Sequence, residues 1–209
     1  MCGNTFWIIW KAAKRGGMTG VPMNPGRPER DRKEVRTMET KYYFAYGSNM
    51  NLDQMAHRCP DAEVVGRCVL KDYRLAFRGN RTGWGVASIL PEPGKEVQGL
   101  LWKITPKCEK SLDFYEGYPN LYGKKEVTVR TKTGEQANVA VYIMNEPYQS
   151  QPALPSNYYL QGILDGCRQN HLTQKEVHRA LEETKKELGE QIKKKMRPRQ
   201  KTARNDSSR

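Results

Sequence analysis

The chain has 209 residues, 37% of them apolar, with a net charge of +13, which supplies one core of moderate size but not two. No run of about 18 uncharged apolar residues occurs, so the sequence offers no membrane-spanning helix and reads as a soluble chain. Five widely spaced cysteines (Cys2, Cys59, Cys68, Cys108, Cys167), without a CxxC pair and with only three histidines, suggest neither a zinc site nor a disulfide framework; they fit buried thiols in a reducing cytoplasm.

Residues 1–38, net charge +5, mix the apolar patch FWIIW with Gly, Pro and Arg and show no helical or strand period. They are expected to be disordered or to lie outside the mature protein, and they lack the layout of a secretory signal. In a bacterial gene, KEVRTM (33–38) can be encoded with AAG GAG GTN before an ATG, a ribosome-binding pattern that makes Met38 the true start. Different codons in the gene exclude that reading.

Seven short segments rich in Val, Ile, Tyr and Leu follow: KYYFAY (41–46), EVVGRCVL (63–70), YRLAFR (73–78), VASILP (86–91), VQGLLWKI (97–104), KEVTVRT (125–131) and ANVAVYIM (137–144). The turn formers Lys71-Asp72, Pro93-Gly94 and Thr133-Gly134-Glu135 separate several of them. The pattern predicts seven strands in a closed or nearly closed barrel, which leaves few exposed edges.

Helices interrupt this pattern. Asn51 with Gln54 forms a capping-box signature, and Thr105-Pro106 starts a helix that carries Ile104, Cys108, Leu112 and Tyr115 on one face up to Gly117. Ser156 starts another, with Tyr159, Ile163 and Cys167 four apart. Thr173 with Glu176 predicts a capping box for a last helix striped by Val177, Leu181, Leu188 and Ile192. Its lysine-rich end fades into RPRQKTARNDSSR, expected to be disordered.

The organisation is therefore an extension at 1–38, a domain at 39–172 and a basic helical extension at 173–209 with a disordered end. The charge sits in the extensions: +5 in 1–38, +2 in 39–172 and +6 in 173–209. The run KKKMRPRQKTAR has no base-stacking aromatics and reads as a solvated tail rather than a nucleic-acid arm.

Three features carry potential chemistry. Gly47-Ser48-Asn49 lies between a strand and a helix start, where main-chain N–H groups without intrahelical partners can receive an anion or a developing oxyanion; a plain strand-to-helix turn needing glycine is the other reading. Glu116 occupies a final helical turn, where the dipole disfavours a carboxylate. Among Phe114, Tyr115, Tyr118 and Tyr122 it is either a poorly solvated proton acceptor or a solvent-facing helix end. Tyr158 and Tyr159 open their helix as core residues or as cover for a small polar ligand.

In combination, YFAYGSN, GLLWKI, LDFYEG and PSNYY…GILDG, in that order over roughly residues 41–172, resemble the γ-glutamylcyclotransferase-like family. The family also includes γ-glutamylamine cyclotransferases and enzymes that remove a γ-glutamyl protecting group from antibiotics. The resemblance implies an α+β fold, a small mixed β-barrel with flanking helices and one pocket at its mouth. It places the substrate loop on Tyr43, Phe44, Ala45, Tyr46, Gly47, Ser48 and Asn49, the catalytic acid/base on Glu116, and further pocket tyrosines on Tyr159 and Tyr122.

The implied reaction cyclises a γ-glutamyl amide to 5-oxoproline and releases a free amine, with Glu116 as base and then acid. The nucleophile belongs to the substrate, so no Ser-His-Asp or Cys-His set is needed, and no metal or other cofactor is expected. The alternatives are a γ-glutamyl acyltransferase and a non-catalytic small-molecule binder on the same barrel. The identity of the γ-glutamyl compound and the oligomeric state stay open.

Overall fold

The computed structural model describes residues 40–196. The readings made for residues 1–38, and for the tail from 197 onward, lie outside the described residues.

Five strands, β1 (Lys41–Ala45), β2 (Glu63–Gly79), β3 (Gly85–Ile104), β4 (Tyr122–Thr131) and β5 (Gly134–Met144), close into a barrel in the order β1-β3-β2-β4-β5. Neighbours are antiparallel except β1 and β5, whose parallel pairing at Tyr42–Val139 and Tyr43–Ala140 completes the closure. Four helices flank it: α1 (Leu52–Arg58), α2 (Pro106–Glu116), α3 (Asn157–Gln169) and α4 (Lys175–Met196). Phe44, Phe77, Ile89, Leu100, Ile104, Val139 and Val141 are fully buried within the core. The expected mixed barrel with flanking helices is the fold of the chain.

Seven expected strands become five because two expected turns are kinks within longer strands. Asp72 (φ 62°) and Gly94 (φ 77°) adopt left-handed conformations, and the ladder resumes beyond them with Lys71 opposite Glu96 and Tyr73 opposite Pro91. The Asp72 carboxylate accepts the Gly94 N–H at 2.9 Å, so the turn residues pin the bend of one long hairpin instead of reversing the chain.

The helix starts follow their capping chemistry. Asn51 accepts the Gln54 N–H, Thr105 that of Cys108 and Ser156 that of Tyr159. Two expected boxes close only in part. Gln54 turns its Oε1 to Arg58, and Glu176 reaches across to the Gln98 N–H of β3 while the Gln98 side chain accepts from Thr173. The α4 signal therefore serves tertiary docking.

The buried residues of α4 are Val177, Ala180 and Thr184, whereas Ile192 is exposed, so the apolar stripe seats only the first half of the helix. Beyond that, Glu187 clamps the helix to β2 through Arg78 (2.8 Å) and Arg74 (3.3 Å).

Candidate active site

β1 ends at Ala45 opposite Leu100, and Ser48–Met50 form a 3-10 turn across the barrel mouth. Gly99 lets this happen: a Cβ there would stand 2.2 Å from the Ala45 carbonyl oxygen and 2.5 Å from the Phe44 ring. From the other side α3 holds the turn, with Asn170 donating to the Met50 carbonyl at 2.8 Å and Asn51 to that of Gly162 at 3.3 Å. The turn's own bonds run from Met50 N–H to Gly47 and from Asn51 N–H to Ser48. The N–H groups of Ser48 and Asn49 thus lead it without intrahelical acceptors.

Against this turn lies a cavity of about 250 Å³ lined by Tyr43, Tyr46, Gly47, Ser48, Asn49, Tyr115, Glu116, Tyr122, Tyr142 and Tyr159, with Asn80, Val86, Ala87 and Leu121. Pockets for drug-sized ligands run from roughly 300 Å³ upward, so this one suits a smaller polar compound. Eight of the ten residues proposed from the sequence meet here. Phe44 and Ala45 do not line it: both are buried in the β1 core, and the Phe44 ring lies against Gly99, on the strand face opposite to its neighbour Tyr43.

Glu116 is the last residue of α2, stopped by Gly117 in the left-handed conformation (φ 65°). Its Oε1 accepts from Asn49 Nδ2 at 2.8 Å, and the same amide donates to the Tyr43 hydroxyl at 2.8 Å. Burial raises its pKa to about 7, against the opposing pull of the Asn49 hydrogen bond and the Arg58 charge. Its surroundings differ from the sequence expectation: Phe114 is 91% exposed and Tyr118 is also exposed. Of the expected neighbours Tyr115 and Tyr122 do line the cavity, and Tyr122 joins Tyr43, Tyr46, Tyr142 and Tyr159 as a wall supplied by other elements.

Burial pushes all five of these phenols above their ordinary range, so they stay neutral. Their hydroxyls are engaged as well. Tyr122 donates to the Ala87 carbonyl at 2.6 Å, Tyr159 accepts the Ala87 N–H at 3.0 Å, and Tyr46 donates to the Tyr142 carbonyl at 2.6 Å. Tyr159 faces the cavity while Tyr158 is exposed to solvent.

Sequence reasoning passed over Arg58 and Tyr142, and named Tyr115 as an aromatic neighbour of Glu116 but not as a site residue. Tyr115 was placed on the apolar face of α2 yet lies at the cavity wall. Arg58 sits one helical turn after Gln54, the only linear sign of its role. The four described cysteines are free and buried, and burial raises Cys59 and Cys68 to about 12 and Cys167 to about 11, which leaves these three as inert thiols. Among the described residues no group of three His, Cys, Asp or Glu could hold a metal ion, and no helix is long and apolar enough to cross a membrane.

The geometry can accept and return a proton at one carboxyl facing a small cavity, beside main-chain donors able to receive negative charge. Known proteins resemble the chain in sequence and in fold. The family model described as gamma-glutamyl cyclotransferase, AIG2-like, matches residues 43–161. Two gamma-glutamylcyclotransferases, from Bos taurus and Homo sapiens, are each 37% identical over 142 residues, covering 64% of this chain and 73% of theirs. A solved structure titled gamma-glutamyl cyclotransferase superposes with a TM-score of 0.58 at 33% identity, over 71% of this chain and 86% of that one.

Proposed function

The chain belongs to the gamma-glutamyl cyclotransferase, AIG2-like family of enzymes, and from that premise we propose that it cyclises a small γ-glutamyl amide to 5-oxoproline with release of a free amine. The observation that carries the reading is Glu116, a carboxyl ionising at about 7 inside the cavity and hydrogen-bonded by Asn49. Such a group is half-ionised near neutrality, the condition under which one side chain serves as both base and acid.

The substrate α-ammonium group loses a proton to Glu116. Its freed amine attacks the γ-carbonyl carbon of the same glutamyl unit, and the bond to the leaving nitrogen breaks as Glu116 hands the proton on. The surplus proton of the ring nitrogen passes through the regenerated carboxylate to the released amine, which departs as an ammonium. The Ser48 and Asn49 N–H groups receive the carbonyl oxygen as it gains charge, or hold the α-carboxylate. The phenol walls fold the substrate into its ring-closing conformer. Cytoplasmic residence accords with the unpaired buried thiols.

A γ-glutamyl acyltransferase or a non-catalytic binder on this barrel differs in product. The deciding assay incubates the purified protein with γ-glutamyl dipeptides, glutathione, ε-lysine conjugates and small amine conjugates, and follows both products by mass spectrometry. Release of 5-oxoproline with one or more of them is expected. Transfer to an added acceptor without 5-oxoproline, or binding with no product, overturns the proposal.

A further inference from the structure

Arg58, the last residue of α1, ties three elements together beside the carboxyl. Its Nη1 donates to Asn49 Oδ1 at 2.5 Å and to Ser48 Oγ at 3.2 Å, and its Nη2 to Gln54 Oε1 at 2.7 Å and to the Tyr115 hydroxyl at 2.5 Å. The guanidinium carbon also stacks 3.6 Å from the Tyr115 ring centroid. The planar fork serves four acceptors on the 3-10 turn, α1 and α2, which an ammonium group cannot reproduce.

We propose that Arg58 is a positioning residue for the reaction: it locks the Asn49 amide in the orientation that presents its NH2 to Glu116, and it supplies the cation facing that carboxyl. The inference rests on the reading of Glu116 as the proton acceptor. An amide has two possible orientations, and its environment decides between them. In the observed one, Asn49 gives both N–H donors to acceptors, Tyr43 and Glu116, and its oxygen to Arg58. The flipped amide would set NH2 against a guanidinium and its oxygen against a carboxylate, two repulsive contacts in a poorly solvated place.

The other groups around Glu116 do not compete for this role. Tyr43 on β1, Tyr46 after it, Tyr122 on β4, Tyr142 on β5 and Tyr159 on α3 are kept neutral by burial, and the Tyr115 hydroxyl on α2 is itself held by Arg58. Arg58 is the cation that acts on Glu116, opposing the effect of burial. Its loss therefore moves Glu116 upward, so that less carboxylate is present at any given pH.

The test titrates the Glu116 carboxyl by carbon-13 NMR in the wild type, Arg58→Met and Arg58→Lys, and records kcat and KM against pH for each. In Arg58→Met the carboxyl midpoint and the acid limb of kcat/KM should both rise by about one pH unit. In Arg58→Lys the midpoint should stay near the wild-type value while kcat falls roughly ten- to a hundredfold with little change in KM, because the charge remains and the alignment is lost. Unchanged Glu116 titration in Arg58→Met overturns the proposal. If Arg58→Met does not fold, Arg58→Lys decides alone, and wild-type kcat in it is equally fatal. Absence of turnover in the wild type would instead remove the cyclotransferase reading and leave the NMR titration to judge the coupling.

Discussion

Glu116 and Glu176 both titrate above the ordinary carboxylate range because burial penalises their charge, yet they stand in different settings. Glu176 accepts the Gln98 main-chain N–H at 3.0 Å and pins the first turn of α4 to β3. Glu116 accepts from a side-chain amide at 2.8 Å and faces a cavity. A perturbed carboxyl is thus no site by itself; what separates the two is the cavity in front of Glu116 and the side-chain amide, rather than main-chain, partner behind it. One is a fastener and the other is available for exchange.

The largest effect that sharpens this contrast is Glu116→Gln. It should lower 5-oxoproline release by about a hundred- to ten-thousandfold while calorimetric affinity for a γ-glutamyl amide changes only slightly. The same variant reads the energetic cost of the site. The folded carboxyl ionises at about 7 against an ordinary 4.5, so folding favours its protonated form. Stability from this group is complete below pH 4.5 and declines as pH rises through 7. Glu116→Gln removes the decline, and thermal melts at pH 8 should show a gain of up to about 3 kcal/mol that shrinks toward pH 5. A destabilised variant at pH 8 would break the account of Glu116 as an expensive carboxylate.

Asn49→Ala comes next. It removes the hydrogen bond that holds Glu116 and a second to Tyr43, and kcat should fall about ten- to a hundredfold, more than KM changes. Steady-state kinetics at pH 8 checks this. From the opposite side of the comparison, Glu176→Ala should cost about 1–2 kcal/mol in urea unfolding by leaving the Gln98 N–H without its acceptor, with kcat unchanged for the folded enzyme. Tyr122→Phe should be mildest: the Ala87 carbonyl loses a 2.6 Å donor, for about 1 kcal/mol of stability.

The fold was legible where the code is local. Period-two segments gave strands, and Asn51, Thr105 and Ser156 each cap the helix expected of them. Legibility failed where a residue's role depends on what lies across from it. Asp72 and Gly94 carry turn chemistry, and only their facing positions in one hairpin make them a kink. Glu176 sits at a capping-box position but meets a better donor on β3.

The candidate site divides in the same way. Glu116, Asn49, Tyr122 and Tyr159 were found through an ordered set of motifs, and the structure brings them to one cavity. The reason for the carboxyl's high pKa was only half right: of its aromatic neighbours in sequence Phe114 and Tyr118 are exposed while Tyr115 and Tyr122 line the cavity, and phenols from β1, β5 and α3 complete its surroundings. Arg58 could not be told from any solvated arginine until α1, α2 and the 3-10 turn were placed together.

The central claim is that proton exchange at residue 116 drives ring closure. Its most direct test measures 5-oxoproline release from one accepted γ-glutamyl amide by wild type and Glu116→Gln across pH 5.5–9. A wild-type acid limb with its midpoint near 7, and loss of at least about a hundredfold of the rate in the variant, is the predicted result. Equal rates and superimposable pH profiles would contradict it.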